Sequence, residues 1–418
     1  MTKQRDSGFA STTTRRRLLL GAAAGGAALA APPIIRVRSA SVRSVRWWYF
    51  FDDPNAAPDA LVSEFQKLHP DIRIDAERIP NNGGADYATR LYSALLAGQG
   101  PDVAMMKIAN LSRLLEMEAL LPIDSYLASW PGRGDIAEQH WKLAAAPDGK
   151  AYILPVQYVV LYLYIRQDWL DAAKMAPPKT LDEMLEVARA MTGKDRWGIG
   201  VRGGAGGQDF WASVVMGEVP WEKGAFVKPA AVAANDWYLD LFRKYKVTPP
   251  STPGDGFQQT INNLKAGRTG MTIHHIGSAS GVVESLGNRI TAVPLPGGPR
   301  GAWATYGDGG QSIFAKCKDP DAAWAWISWL SAGEPNAAFN RLTGQVPVAT
   351  SMAKNWTEVP KRFVDATVNS LPIARILPNL SQTADFVRTV WPQATQKAFL
   401  GQISSAEMMG AFEKLYFS

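Results

Sequence analysis

Val45-Arg46-Trp47-Trp48-Tyr49-Phe50-Phe51 is a β-rich apolar run that stops at Asp52-Asp53-Pro54-Asn55, a turn signal. From Pro58 to His69 the apolar residues Leu61, Phe65 and Leu68 recur at helical spacing, and Pro70 closes the pattern. Ile72-Arg73-Ile74-Asp75-Ala76 alternates as a strand does, and Asp86 to Ala97 reads as an amphipathic helix ended by Gly98. Asp102 to Met106 then reads as a short strand and Leu111 to Leu120 as a helix. This β-α-β-α-β-α alternation predicts a parallel sheet with helices on its faces, an α/β fold. Ligands of such sheets bind beyond the carboxyl ends of the strands. The polar positions there are Asp52, Asp53, Asn55, Lys107 and Asn110.

Further along, Ala151 to Arg166 is a long extended stretch interrupted by Pro155, which suits a chain passing from one sheet into another. Thr180 and Glu183 have capping-box spacing for a helix ending near Thr192. Trp197 to Val201 reads as a strand. The glycine-rich loop Gly203–Gly207 after it is expected to be flexible, or to let backbone approach a ligand. Helices are expected at Ala231–Tyr245, Phe257–Ala266, Ala322–Leu330, Phe386–Leu400 and Ser404–Tyr416, with short strands at Gly270–His274 and Ile290–Leu295.

The chain has 418 residues, 20% of them charged, with a formal net charge of +6. That length suits two domains. The positive charge invites nucleic acid as a partner, but its distribution argues otherwise. Residues 1–40 hold seven basic residues and one acidic residue, while the remainder holds 37 of each. The first segment has the layout of an export signal: Thr14-Arg15-Arg16-Arg17-Leu18-Leu19 and then a weakly apolar run to Ala31. The paired arginines resemble a twin-arginine signal. Cleavage after Ala28-Leu29-Ala30 or nearer Ala40 both fit. No other apolar run is long enough to span a membrane. No nucleic acid is expected as a partner, because no second basic cluster or interleaved aromatics accompany the leader.

Catalytic signatures are almost missing. The glycine loop lacks the Gly-x-Gly-x-x-Gly spacing of a phosphate cradle, and no Gly-x-Ser-x-Gly elbow occurs. The histidines His69, His140, His274 and His275 have no metal-ligand spacing, so neither metal nor cofactor is expected. On a strand, His274 and His275 point to opposite faces, one of them able to meet a cleft. Glu116 and Glu118 read as a solvated helix face, and the single Cys317 as a small buried or edge residue. The 15 Trp and 12 Tyr are more telling, because sugar rings stack on aromatics while their hydroxyls need carboxylates, amides and guanidinium groups. Trp324, Trp326 and Trp329 read as a buried helix stripe. Trp211, beside Gln208 and Asp209, is a candidate to line a cleft.

Four stretches, in order, carry a resemblance to extracellular solute-binding proteins of bacterial ABC importers, in the carbohydrate-type group that includes maltose-binding proteins. They are Phe65-Gln66-Lys67-Leu68-His69-Pro70-Asp71-Ile72; Gly100-Pro101-Asp102-Val103; Asp148-Gly149-Lys150-Ala151-Tyr152-Ile153-Leu154-Pro155 with Thr180-Leu181-Asp182-Glu183-Met184; and Ala266-Gly267-Arg268-Thr269-Gly270-Met271-Thr272-Ile273 with Pro294-Leu295-Pro296-Gly297-Gly298. The resemblance, from about Val45 to the C-terminus, implies a two-lobed periplasmic binding protein (type II-like), each lobe a β-sheet flanked by helices, joined by a hinge. It implies an N-terminal lobe from 44–156 plus 292–344 and a C-terminal lobe from 157–291 plus 345–418, behind a signal at 1–40. Implied too are a monomer without enzymatic activity, a small-molecule carbohydrate ligand and ABC permease subunits as partners.

Carried over by position, Asp52 and Asp53 match the polar end of the family's first strand. Lys107 matches the loop after the Pro-Asp strand, and Asp308, Gly309 and Gly310 the glycine turn near the hinge. Arg375 matches an arginine that faces the cleft. With Tyr158, Gln208, Trp211, His274 and Ser278 these are the candidate ligand-binding residues, Trp211 or Tyr158 stacking on the ring. Two departures, Gly277-Ser278 where an aromatic is common and Val159 where a Glu is frequent, point away from maltodextrins toward a smaller sugar or polyol. The rival readings are a secreted glycoside-active enzyme and a binder of a metal or a phosphorylated polyol.

Overall fold

The computed structural model describes residues 42–51, 56–80, 85–307, 309–378 and 380–418. The leader, Asp52, Asp53, Asn55 and Asp308 lie outside the described residues. In chain order the strands are β1 (Arg43–Tyr49), β2 (Ile72–Arg78), β3 (Val103–Met106), β4 (Leu154–Pro155), β5 (Gln157–Val160), β6 (Tyr162–Arg166) and β7 (Trp197–Gly200). They continue with β8 (Thr269–His274), β9 (Ile290–Val293), β10 (Ala304–Gly307), β11 (Gly310–Ile313), β12 (Val346–Pro347) and β13 (Ala374–Arg375).

Three sheets result, ordered β2-β1-β3-β11-β4, β12-β5-β10-β13 and β7-β8-β6-β9. In the first, β1 runs parallel to both β2 and β3, as the opening alternation requires, while β11 enters antiparallel to β3 with Gly310 opposite Met106. The core on this sheet is aromatic. Trp47 stacks on Tyr49 at 4.9 Å and meets Trp326 edge-on at 5.1 Å, and its indole donates to Gln311 Oε1 at 2.9 Å. Trp326, on the helix Pro320–Leu330, is fully buried, whereas Trp324 and Trp329 are half-buried partners at the edge of that core.

The stretch through Pro155 serves all three sheets in succession as β4, β5 and β6. A second segment, β10 to β11, runs back alongside it, pairing with β5 and then with β4. Residues 156–161 and 303–307 are therefore parts of chain crossings between the first sheet and the third, with the middle sheet built around them. Ser41–Ser418 form one compact unit.

Several elements differ from their sequence reading for local reasons. The helix expected over Leu111–Leu120 stops at Glu116, because Glu118 takes a left-handed φ of 50° that lets Leu120 bridge to Phe314. Glu116 and Glu118 are exposed, as a solvated face requires. The helix Leu181–Met191 is capped by Thr180, which accepts from Glu183 N at 3.1 Å, but the Glu183 carboxylate reaches back to Lys179 N rather than Thr180 N. The C-terminal helix Ser405–Phe417 has a complete capping box with Ser404 and Glu407.

Candidate functional site

The carboxyl ends of β1, β2 and β3 share one edge of the first sheet, and antiparallel β11 begins there. That edge carries Phe50, Lys107, Asn110 and Gly309. In the third sheet parallel β7 and β8 end at Gly200, just before Arg202, and at His274, and the start of β6 lies on the other side of His274, which pairs with Tyr162. Both edges lead into the crossings, the first at Val156 and the third at Leu161, so the two sets of strand ends meet where the chain passes between them. This is the geometry at which open α/β sheets take ligands.

On the first edge, Lys107 Nζ lies 5.2 Å over the Phe50 ring. Asn110 accepts from Tyr92 Oη at 2.9 Å, and burial pushes the Tyr92 phenol up to about 12. The helical segment Ser381–Asp385 packs against Ile108–Asn110 and continues into a π-turn at Phe386–Val390. π-turns inside helices concentrate at functional sites. Gly309 and Gly310 act through their lack of a side chain: a Cβ on Gly310 would fall 1.9 Å from the Leu154 carbonyl oxygen. Gly310 thereby allows close strand approach, while a Cβ on Gly309 would stand 3.1 Å from the Ile108 side chain. Arg375 is exposed on β13, its Nη1 donating to the carbonyls of Pro372 and Ala374 at 3.2 and 2.8 Å.

Two candidates are corrected. Trp211 is fully buried inside the third-sheet half, meeting Trp221, Phe226, Phe386 and Phe412 and donating its indole N–H to Asn235 Oδ1 at 2.8 Å. The helix Gln208–Val215 buries nearly every residue it has, so proximity to the glycine loop placed Trp211 beside the site without exposing its ring. Tyr158 is likewise buried, one face against Tyr306 at 6.1 Å and the ring beside His140 at 4.6 Å. Neither offers a free face to a sugar.

The histidine pair is also corrected. Strand β8 ends at His274, so the alternation fails at the next residue: the two rings stack on each other at 5.0 Å and both pack on Phe257. His274 Nδ1 shares a 2.9 Å hydrogen bond with Ser278 Oγ, and burial holds its pKa well below the usual histidine range. His275 accepts from Gly277 N at 3.1 Å. Among the described residues no cluster of three His, Cys, Asp or Glu side chains could hold a metal. Cys317 is half-buried, with burial pushing its thiol up to about 11, which leaves it a poor nucleophile.

The glycine loop is packed rather than loose. A Cβ on Gly203 would fall 2.3 Å from the Thr252 carbonyl, and one on Gly207 2.2 Å from that of Arg202 and 2.6 Å from the Trp391 ring. Gln208 is buried, its Nε2 donating to Asp209 at 3.0 Å while its Oε1 has no partner among the described residues. The residue that sequence reasoning missed is Arg202, at the tip of β7. A charge set between an apolar strand and a glycine run was the signal available for it.

A sequence model of the bacterial extracellular solute-binding proteins matches residues 51–335. The chain belongs to the bacterial extracellular solute-binding protein family. An uncharacterized ABC transporter extracellular-binding protein of Pyrococcus horikoshii is 22% identical over 372 residues, spanning 80% of this chain and 77% of that one. Among solved structures, the maltose-bound MalE3 of T. maritima superposes with a TM-score of 0.77 at 19% identity, covering 90% of this chain and 99% of that one. A Thermotoga lettingae ABC transporter solute-binding protein bound with α-D-tagatose gives 0.76 at 18% identity, over 89% and 98%. These likenesses establish the two-lobed α/β fold. Among the described residues no helix is long and apolar enough to cross a membrane.

Proposed function

We propose that the protein is the exported substrate-binding component of an ABC importer, which captures a sugar between two lobes and delivers it to membrane permease subunits. The observation that carries this reading is that the strand ends of two sheets lead into the same chain crossings, in a chain of the solute-binding family. Relatives of the same fold hold maltose and tagatose, so a carbohydrate is the ligand class assigned. The lobes are taken as 44–156 plus 292–344 and 157–291 plus 345–418, and export as passing through the twin-arginine route to the periplasm.

In this reading Asp52, Asp53, Lys107, Gln208, Ser278, Asp308 and Arg375 supply hydrogen bonds to hydroxyls. The crossings act as the hinge. A ligand touching both lobes stabilises the closed form relative to the open one, and that differential affinity drives closure. The test is a thermal-shift screen of the mature protein over sugars, polyols and amino acids, since a ligand that binds only the folded state raises its stability. Shifts confined to carbohydrates are expected. Shifts only with amino acids or other non-carbohydrates would remove the assignment.

A further inference from the structure

Arg202 is built in a way that the sugar-binding reading alone does not use. Its side chain is only 11% exposed, and its guanidinium lies 5.3 Å over the Phe257 ring. The backbone is pinned, since Tyr238 Oη donates to the Arg202 carbonyl at 3.1 Å. The nearest carboxylate is Asp209, with Oδ2 at 4.0 Å, beyond hydrogen-bonding distance. Asp209 Oδ1 is instead bound by Gln208. Among the described residues the guanidinium makes the Asp209 ion pair and no side-chain hydrogen bond. Burial lowers the pKa of Arg202 from its ordinary value, yet a guanidinium stays protonated at any physiological pH. A permanent charge with a rigid donor fork is thus largely removed from water and balanced by Asp209 across a long ion pair, an arrangement that a directly hydrogen-bonded anion would complete.

The loop is shaped to the same purpose. Gly206 has a φ of 88°, and a Cβ there would stand 2.6 Å from Arg202 Nη1, so backbone lies directly on the guanidinium. Together with Gly207 and Phe210, these residues bound a recess at the end of β7 and β8 that admits a group of water size, which suits one carboxylate oxygen. The helix Gln208–Val215 starts at the recess with Gly207 as its N-cap, and no side chain caps its first N–H groups. The helix dipole therefore adds partial positive charge on the same side.

We infer that the ligand is an acidic sugar, and that one oxygen of its carboxylate docks on the Arg202 guanidinium beneath the Gly203–Gly207 loop. The inference rests on the carbohydrate reading of the cleft and sharpens its substrate class. Arg202 is then the determinant that separates a uronate or aldonate from its neutral parent.

Calorimetric titration of the mature protein with galacturonate, glucuronate and gluconate, beside galactose and glucose, tests this. A charge-assisted hydrogen bond to a buried guanidinium predicts at least tenfold tighter binding of an acid than of its neutral parent. Arg202→Gln should bring that ratio close to one, and Arg202→Lys should restore part of it. Equal affinity of wild-type protein for acid and parent would overturn the inference and leave the sugar reading standing, whatever the folding of the variants. An unchanged ratio in Arg202→Gln would overturn it in the same way. Binding of neither class would overturn both together.

Discussion

Replacing Trp211 by Phe separates a core residue from a ligand platform. Among the described residues the indole N–H is the one donor to Asn235 Oδ1, and Asn235 is itself fully buried while its Nδ2 donates to Ser405 Oγ at 2.8 Å. Phe keeps most of the apolar contact with Phe226, Phe386 and Phe412 but strands that carbonyl in a site closed to water. A buried acceptor left unpaired costs about 1–3 kcal/mol. The void beside the smaller ring adds about 1 kcal/mol. The expected destabilisation is therefore about 2–4 kcal/mol, read as a lower urea midpoint with unchanged m in circular dichroism. Ligand affinity of the folded variant should stay at the wild-type value. A stability loss under about 0.5 kcal/mol, accompanied by a tenfold or greater loss of affinity, would refute the core assignment.

Burial holds His140 neutral with its pKa pushed down to about 4, against about 6.5 in the unfolded chain, so the unfolded state binds the proton first. Stability is complete above pH 6.5 and should fall by about 3 kcal/mol as the pH drops through 6.5 to 4. His274 adds in the same direction, and His140→Asn should flatten part of the slope in urea melts between pH 7 and 5; an unaltered slope would exclude His140. Gly310→Ala should cost about 3 kcal/mol or more because its Cβ meets the Leu154 carbonyl. Gly410→Ala, in the open middle of the helix Ser405–Phe417, should instead stabilise by about 0.5–1 kcal/mol; equal melting temperatures for the two would contradict the packing described. Arg375→Ala should raise the dissociation constant about tenfold, one charge-assisted hydrogen bond being worth about 1.5–3 kcal/mol, and unchanged affinity in calorimetry would take Arg375 out of the site.

What the residues alone reveal follows from how local each signal is. The alternation over Val45–Leu120 is a matter of period, and it led to β1, β2, β3 and their helices with boundaries off by a few residues. Pro155 breaks a strand wherever it stands, so the passage of residues 151–166 between sheets was legible too. By contrast, the helix Gln208–Val215 is apolar almost all round and follows five loop residues, which leaves no amphipathic period to detect. Facing is harder still. Nothing in sequence says that β8 ends at His274 and lets the next ring fold back onto it, or that Trp211 and Tyr158 turn into the core. Arg202 is marked in sequence only as a charge before a glycine run; its burial beside Phe257 and Asp209 comes from tertiary packing.

The central claim is capture of a carbohydrate between the lobes. The most direct measurement is an isothermal titration of the mature protein with the carbohydrates that shift its melting temperature. Saturable binding of one sugar per chain is expected. Saturable binding of a non-carbohydrate, with no heat from any sugar or sugar acid, would contradict it.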